Sequence, residues 1–338
     1  MKISIVLTAY NAATYLRAAM DSIIAQTHKD WEAICIDDGS TDETGTILDA
    51  YANGDARIKV FHHPNKGLAA CRQEGVDLSS GEYITFCDAD DMIAPQWLSN
   101  AVSLLEVRRP QLLRAHLLFA KEMPSGFFNE RASHIENSVT GRRDCLLWSW
   151  RVFFTSGFAV LNFIRADLKP YIRFNEKLPL KEDTMMLVNL APQLTAVVQS
   201  DYCGYFYRQT SGSLLRRKKE AHSSVQTLTA LSDIWERQQG IAGELGVAKA
   251  LRHAIQKFAD NDVIDWAVDC AHEPASEKMQ VHKAWLNLRG CGAFDGSYSH
   301  RKFLYLPFQW WKVTGREFLI GLTWRLFLGG RKLLLRKD

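Results

Sequence analysis

The sequence predicts an α/β protein with a mainly parallel central sheet, helices on both faces, and a helical C-terminal extension. Three observations carry this. Across the first ninety residues, short apolar runs alternate with segments of helical period. The links between them are short, and a β-α-β-α-β-α-β order then implies right-handed crossovers and parallel strands. Beyond Ser213 the chain passes through a charged run, Arg216-Arg217-Lys218-Lys219, into helical spacing.

Ile3-Ser4-Ile5-Val6-Leu7 is the first apolar run, and Thr14 to Gln26 has apolar residues at helical spacing. Trp31 to Ile36 reads as a strand, Asp42 to Tyr51 as a helix, and Arg57 to Phe61 as the third strand. Leu68 to Leu78 is the third helix and Tyr83 to Cys87 the fourth strand. The pattern then becomes mixed. It gives a helix from Trp97 to Val107, a strand at Leu112 to Phe119, a helix opening near Glu182 and a strand at Thr195 to Gln199. Leu228, Leu231, Ile234 and Trp235 share one face of a later helix. A boundary near Ser211 divides a first domain, 1–211, with halves of about 1–107 and 108–211, from a helical region, 212–338.

The chain has 338 residues, 47% of them hydrophobic and 23% charged, enough to bury a sizeable core. Its net charge of +3 excludes a whole-molecule electrostatic footprint for nucleic acid. The seven cysteines are scattered with no CxxC pair, which excludes a zinc ribbon and points to a reducing compartment. Four of them stand in apolar stretches, as small buried thiols do. A strand starting at Lys2 leaves no room for a signal peptide, and no stretch approaches the roughly 18 to 20 apolar residues of a membrane span. The expected location is the cytoplasm, peripheral on the inner face of the cell membrane.

In a parallel sheet, ligands sit at the carboxyl ends of the strands. Asp37-Asp38-Gly39-Ser40-Thr41-Asp42 follows the second strand. A tight turn with Gly39 at positive φ and Ser40 or Thr41 as helix cap explains most of it. Two adjacent acids ending a buried strand need more, and one can accept hydrogen bonds from a nucleobase or ribose. Asp88-Ala89-Asp90-Asp91 follows the fourth strand. Alternation along an extended segment puts Asp88 and Asp90 on one side, where like charges need a counter-charge. A hard divalent cation, Mn2+ or Mg2+, meets that need and can bridge diphosphate oxygens. Asp91 is a candidate cap for the next helix. Between these blocks, Gly67 allows a ligand close to the backbone, and Lys66 and Arg72 are candidate phosphate contacts or plain surface cations.

Taken together, Ser4 to Asn11, the Asp-Asp-Gly-Ser-Thr-Asp block, the Asn65-Lys66-Gly67 helix start, Gly81-Glu82-Tyr83-Ile84 and Asp88-Ala89-Asp90-Asp91 resemble a family 2 glycosyltransferase of the GT-A fold, inverting and of the bacterial surface-glycan type. The resemblance covers roughly residues 1 to 215. It implies that Thr8, Ala9, Tyr10 and Asn11 line a nucleotide pocket with Lys66, Gly67 and Ala89 nearby. It further implies that Asp38 meets the base, Arg72 the phosphates, Asp88 the ribose–diphosphate side and Asp90 the metal, with Asp88 assisting. Cys71-Arg72-Gln73 departs from the family's usual Ala-Arg-Asn.

Lys181-Glu182-Asp183-Thr184 opens an apolar helix, where acids complement the macrodipole. Inverting transfer also needs a carboxylate to take the acceptor's proton. The family's Glu-Asp pair, preceded by a Phe-x-Glu segment matching Phe174-Asn175-Glu176, implies Asp183 as that base, with Glu182 as the fallback. Tyr205-Phe206-Tyr207-Arg208 resembles the family's closing segment; Arg208 could reach a departing diphosphate, or be an exposed arginine on an edge strand.

Residues 301–338 carry nine Lys/Arg and two acids, a net +7 against +3 for the whole chain, so the rest carries −4. With Trp310, Trp311, Phe318, Trp324 and Phe327 interleaved, this tail suits an anionic membrane surface. The implied partners are a nucleoside-diphosphate sugar and a glycan or lipid-linked acceptor. Two other readings are a nucleotidyltransferase, which would show a Gly-rich basic loop near Thr8 to Ala13, and a degenerate nucleotide-sugar-binding assembly protein, which would have lost an acid.

Overall fold

The structure is a computed structural model, described over residues 1–120, 135–155, 158–176, 178 and 181–208, with scattered positions between 230 and 246. The chain divides into two compact units, Met1–Leu178 with Glu182–Arg216, and Pro179–Lys181 with Arg217–Asp338. The charged run 216–219 and the tail 301–338 lie outside the described residues.

Within the first unit, the opening seven elements follow the sequence pattern. They are β1 (Ile3–Ala9), α1 (Ala13–Ile24), β2 (Trp31–Asp37), α2 (Thr44–Gly54), β3 (Ile58–His62), α3 (Leu68–Leu78) and β4 (Tyr83–Asp88). β5 (Met92–Ile93), α4 (Trp97–Arg108), β6 (Leu112–Ala120), β7 (Ile135–Thr140) and α5 (Arg142–Thr155) come next. β8 (Asn162–Arg165), α6 (Glu182–Leu190) and β9 (Ala196–Arg208) complete the unit.

One sheet runs β3-β2-β1-β4-β8-β6-β9-β5, with β7 also on β9. Its first half is parallel, as expected: β1 lies between β2 and β4, with Ile3 opposite Trp31 and Tyr83. The second half is mixed. β8 is antiparallel to β4 and β6, β9 is parallel to β6, and β5 and β7 are antiparallel to β9. The expected α/β fold with a mainly parallel central sheet is found, and its antiparallel pairings all fall in this second half. β1, β2 and β4 are covered on both faces, so Ile3, Leu7, Ala33, Ile34, Cys35, Ile36 and Ile84 are fully buried, and their runs read as continuous rather than alternating. Cys35, Cys71, Cys87 and Cys145 are buried free thiols.

At the amino ends of these strands sits a buried acid, Glu32, 2% exposed. It accepts hydrogen bonds from Ser4 Oγ at 2.7 Å, Ser80 N–H at 2.7 Å and Ser80 Oγ at 2.8 Å. Lys2 and Lys59 Nζ approach it at 2.9 and 3.0 Å. Burial alone would raise its pKa, but the bonds from Ser4, Lys2, Ser80 and Lys59 prevail and hold it well below the carboxylate range. A folded-state pKa below the unfolded value gives stability that is complete above about pH 4.3 and is lost as pH falls. Glu32→Gln is expected to cost about 2 kcal/mol at neutral pH in urea unfolding, with the gap to the parent narrowing below about pH 4. An undiminished gap in acid would contradict this.

Candidate active site

The carboxyl ends of β1, β2 and β4 meet where β1 is flanked by an acid on either side: Ala9 is opposite Asp37, and Thr8 is opposite Asp88. Each acid at the end of β2 has a local task. Asp37 Oδ1 accepts the Ser40 N–H at 3.1 Å, and its Oδ2 meets His62 Nδ1 at 3.0 Å. His62 also reaches Asp49 at 3.0 Å, and the bonds to Asp49 and Asp37 raise its pKa. Asp38 accepts the Lys66 N–H at 2.7 Å and the Gly67 N–H at 3.0 Å, binding the loop before α3 to the end of β2. Gly39 has φ 73°, and a Cβ there would lie 2.7 Å from the Asn65 nitrogen, so this turn requires glycine.

Ser40 and Thr41 do not cap α2, contrary to expectation, because both are engaged by Asn11. The Asn11 N–H donates to Ser40 Oγ at 3.0 Å, and Asn11 Oδ1 accepts the Thr41 N–H at 2.8 Å. Asp42 accepts from the Thr44 N–H at 3.0 Å and the Ala13 N–H at 3.1 Å, bridging the starts of α2 and α1. The loops after β1 and β2 are thus laced together. Thr8 is half-buried, Ala9 is buried, and Tyr10 stands out at 54% exposure. Lys66 pairs with Glu74, and Gly67 opens α3 at φ 90°.

After β4 the chain leaves the extended conformation at once. The Asp91 N–H donates to Asp88 O at 3.1 Å, so a tight turn, rather than strand alternation, sets Asp88 near Asp90. Ala89 is buried inside that turn. Burial and then the Asp88 charge push the Asp90 carboxyl up to about 6. Asp91, 1% exposed, is not a helix cap: it accepts from Tyr205 Oη at 2.7 Å and from the Arg208 N–H at 2.8 Å. The same Tyr205 oxygen accepts the Asp88 N–H at 3.1 Å. Arg208 is half-buried rather than exposed; its Nε donates to the Asp90 carbonyl at 2.8 Å, and its guanidinium lies 4.8 Å from the Tyr15 ring centroid.

Arg72 joins this corner to α6. Its Nη2 donates to Asp88 Oδ1 at 2.7 Å and its Nη1 to Glu182 Oε1 at 2.6 Å, with the side chain 7% exposed. Burial would lower the guanidinium's pKa; Asp88, Glu182 and Asp183 reverse that and raise it. Burial raises Glu182 to about 7 despite Arg72. Asp183, half-buried, accepts the Thr184 N–H at 2.6 Å in the first turn of α6. Arg72 was expected at phosphate; here its outer nitrogens serve two carboxylates.

Among the described residues, no group of three His, Cys, Asp or Glu side chains is arranged to hold a metal. The donor set of Asp90 with Asp88 nonetheless fits Mg2+ or Mn2+, because such ions bind through one or two carboxylates and complete their shells with water and substrate phosphate. Sequence reasoning named Tyr205 within the Tyr205-Phe206-Tyr207-Arg208 segment but missed its hydrogen bonds to Asp91 and the Asp88 amide. Tyr205→Phe is expected to cost about 1–3 kcal/mol in urea unfolding, since it strips bonds from buried Asp91 and from the Asp88 amide. A change within about 0.5 kcal/mol would contradict the fastening role.

Residues 4–164 match the family model described as Glycosyl transferase family 2. The chain is 41% identical over 99 residues to Glycosyltransferase GlyA of Streptococcus pneumoniae, covering 29% of this chain but 14% of that protein. It is 28% identical over 230 residues to Glycosyltransferase GlyG of the same organism, covering 63% of this chain and 73% of the relative. Among solved structures it resembles S. aureus TarS 1-349 in complex with UDP-GlcNAc, with a TM-score of 0.57, 18% identity and 92% of each chain covered. It also resembles the mannosyltransferase PcManGT from Pyrobaculum calidifontis in complex with GDP-Man and Mn2+, with a TM-score of 0.51, 14% identity and coverage of 99% and 88%.

Proposed function

We propose that this chain, whose residues 4–164 match the Glycosyl transferase family 2 model, is a family 2 glycosyltransferase of the GT-A fold that moves a sugar from a nucleoside-diphosphate donor to an acceptor hydroxyl with inversion. The donor is a UDP-sugar by preference, and the acceptor is a cell-surface glycan or lipid-linked saccharide. One observation carries this reading: Arg72 bonds to Asp88 at the end of β4 and to Glu182 beside Asp183, so metal-type acids and base-type acids share one corner.

In this reading Tyr10, with Thr8, Ala9 and Asn11, lines the nucleotide pocket. Asp38 meets the base with the lone pairs left by its two amide bonds, since a carboxylate can accept about four. Lys66, Gly67, Ala89 and Arg208 border the diphosphate. Arg72 favours it through the charge of the cluster rather than through a fork of its own. A Mn2+ or Mg2+ ion, held by Asp90 with Asp88, would neutralise charge on the leaving diphosphate.

Asp183 is the base. Glu182 is 7% exposed and bound by Arg72, whereas Asp183 is half-buried in the same helical turn. The acceptor oxygen attacks the anomeric carbon from the face opposite the diphosphate. The bond from that carbon to the diphosphate breaks, the electron pair leaves with the diphosphate, and the acceptor's proton passes to Asp183. Asp90→Ala and Asp183→Asn are both expected to abolish transfer, while only Asp90→Ala weakens Mn2+-dependent UDP binding in calorimetric titration. Equal loss of binding in both would overturn the division of roles. Release of UDP from a labelled UDP-sugar supports glycosyl transfer, whereas release of sugar 1-phosphate would support nucleotidyl transfer, which breaks a bond to phosphorus.

Among the described residues no helix is long and apolar enough to cross a membrane. The composition of 301–338 supports docking of that tail on the anionic inner face of the cell membrane. Removing residues 301–338 is expected to reduce co-sedimentation with anionic liposomes; unchanged co-sedimentation would reject the docking role.

A further inference from the structure

Tyr15 belongs to none of the motifs at the strand ends, yet its ring touches a charged group of the corner. The Arg208 guanidinium lies over it, 4.8 Å from the ring centroid. Both placements follow from the fold. Tyr15 is in the first turn of α1, where Ala12 O accepts the Tyr15 and Leu16 N–H groups at 3.0 Å each. Arg208 ends β9, whose partner β5 packs on α1, with the Ile93 N–H donating to Ser22 Oγ at 3.2 Å. β5 thus carries the end of β9 against α1.

A planar cation at the end of a strand needs more than one contact to keep one orientation. The Arg208 N–H bonds to Asp91 Oδ1 at 2.8 Å, which fixes the backbone. Its Nε donates to the Asp90 carbonyl at 2.8 Å, which fixes one edge of the guanidinium. A single edge bond leaves the plane free to swing about it. An aromatic face attracts a guanidinium through the ring quadrupole and stacks against it, so the Tyr15 ring supplies the second constraint. Nη2 faces Met92 Sδ at 3.7 Å, a weak acceptor that phosphate oxygens would displace. A ring that only covered the arginine stem could be replaced by any apolar side chain of similar reach. A ring that orients the cation needs another ring in its place.

We propose that Tyr15 is a positioning residue for transfer: its ring face holds the Arg208 guanidinium beside the Asp88–Asp91 turn, with the outer nitrogens turned to the departing diphosphate. This rests on Arg208 bordering the diphosphate in the proposed function. The effect falls on kcat rather than KM, because charge on the diphosphate grows as its bond to the anomeric carbon breaks.

The test follows hydrolysis of UDP-N-acetylglucosamine and GDP-mannose by the full chain at saturating Mn2+, with water in the acceptor's place. Tyr15→Leu is expected to lower kcat about fivefold and to leave KM within about twofold of the parent. Tyr15→Phe, which keeps the ring, should hold kcat within about twofold. Tyr15→Met carries the expectation of Tyr15→Leu if that variant does not fold. Arg208→Gln is expected to lower kcat about tenfold or more, and adding Tyr15→Leu to it should lower kcat little further, since the ring then has no cation to hold. Three results would overturn the positioning role: an unchanged kcat in Tyr15→Leu, an equal loss in Tyr15→Phe, or an undiminished effect of Tyr15→Leu in the Arg208→Gln background. If Arg208→Gln hydrolyses as fast as the parent, or the parent hydrolyses neither donor, the placement of Arg208 at the diphosphate fails and the role of Tyr15 falls with it.

Discussion

The two bonds from Arg72 to Asp88 and Glu182 are the constraint on which the arrangement depends. The bond to Glu182 links residues 110 positions apart, and together the two join the parallel half of the sheet to the helix that opens with Glu182 and Asp183. Nothing local forces that approach. Acids at the end of β4 and at the start of α6 would repel one another across a low-dielectric corner without a cation between them. A guanidinium suits the position because it stays charged when buried and offers donors in a rigid fork. Lysine in its place would present one point charge to two separated carboxylates.

The two ends of the sheet solve opposite problems. At the amino ends, Glu32 is buried but fully answered by hydroxyls, an amide and two lysines, so its pKa lies low and its charge contributes to stability. At the carboxyl ends, half-buried Asp90 and buried Asp91 and Glu182 are incompletely answered, and all three lie high, at about 6, 8 and 7. Groups shifted upward by burial and by one another store unfavourable energy that ligand binding can relieve. A corner built this way gives up stability where Glu32 gains it.

Much of this was legible in the residues, for reasons that also explain what was not. β1 to β4 and their helices are short, strongly patterned and local, and they came through as expected. β7 is too polar, and β8 too short at four residues, to stand out from loop. α5 spreads apolar and polar residues around its circumference, so no stripe marks it. Site acids were readable because charge at the end of an apolar strand demands a reason. Their hydrogen-bond duties were not, since Asp38 meets Lys66 and Asp91 meets Tyr205 only after long-range docking. The alternation argument for Asp88 and Asp90 failed in form because the Asp88–Asp91 turn closes before alternation can continue.

Charge balance explains why this corner would welcome a divalent cation. Asp88, Asp90, Asp91, Glu182 and Asp183 act on one another or on Arg72, Arg114 and Arg208. Among the described residues, with every carboxyl ionised, five negative charges face three guanidiniums, a shortfall of two. Holding protons on the most buried acids is one way to close that gap, and the raised pKa values of Asp90, Asp91 and Glu182 are its signature. A dication closes it without protons and remains able to attract a diphosphate, which a protonated carboxyl cannot do. The arginines are fixed by hydrogen bonds to protein: Arg72 by Asp88 and Glu182, Arg114 by Asn162, and Arg208 by the Asp90 carbonyl. On the proposed function, the adjustable positive charge at this corner would arrive with the substrate.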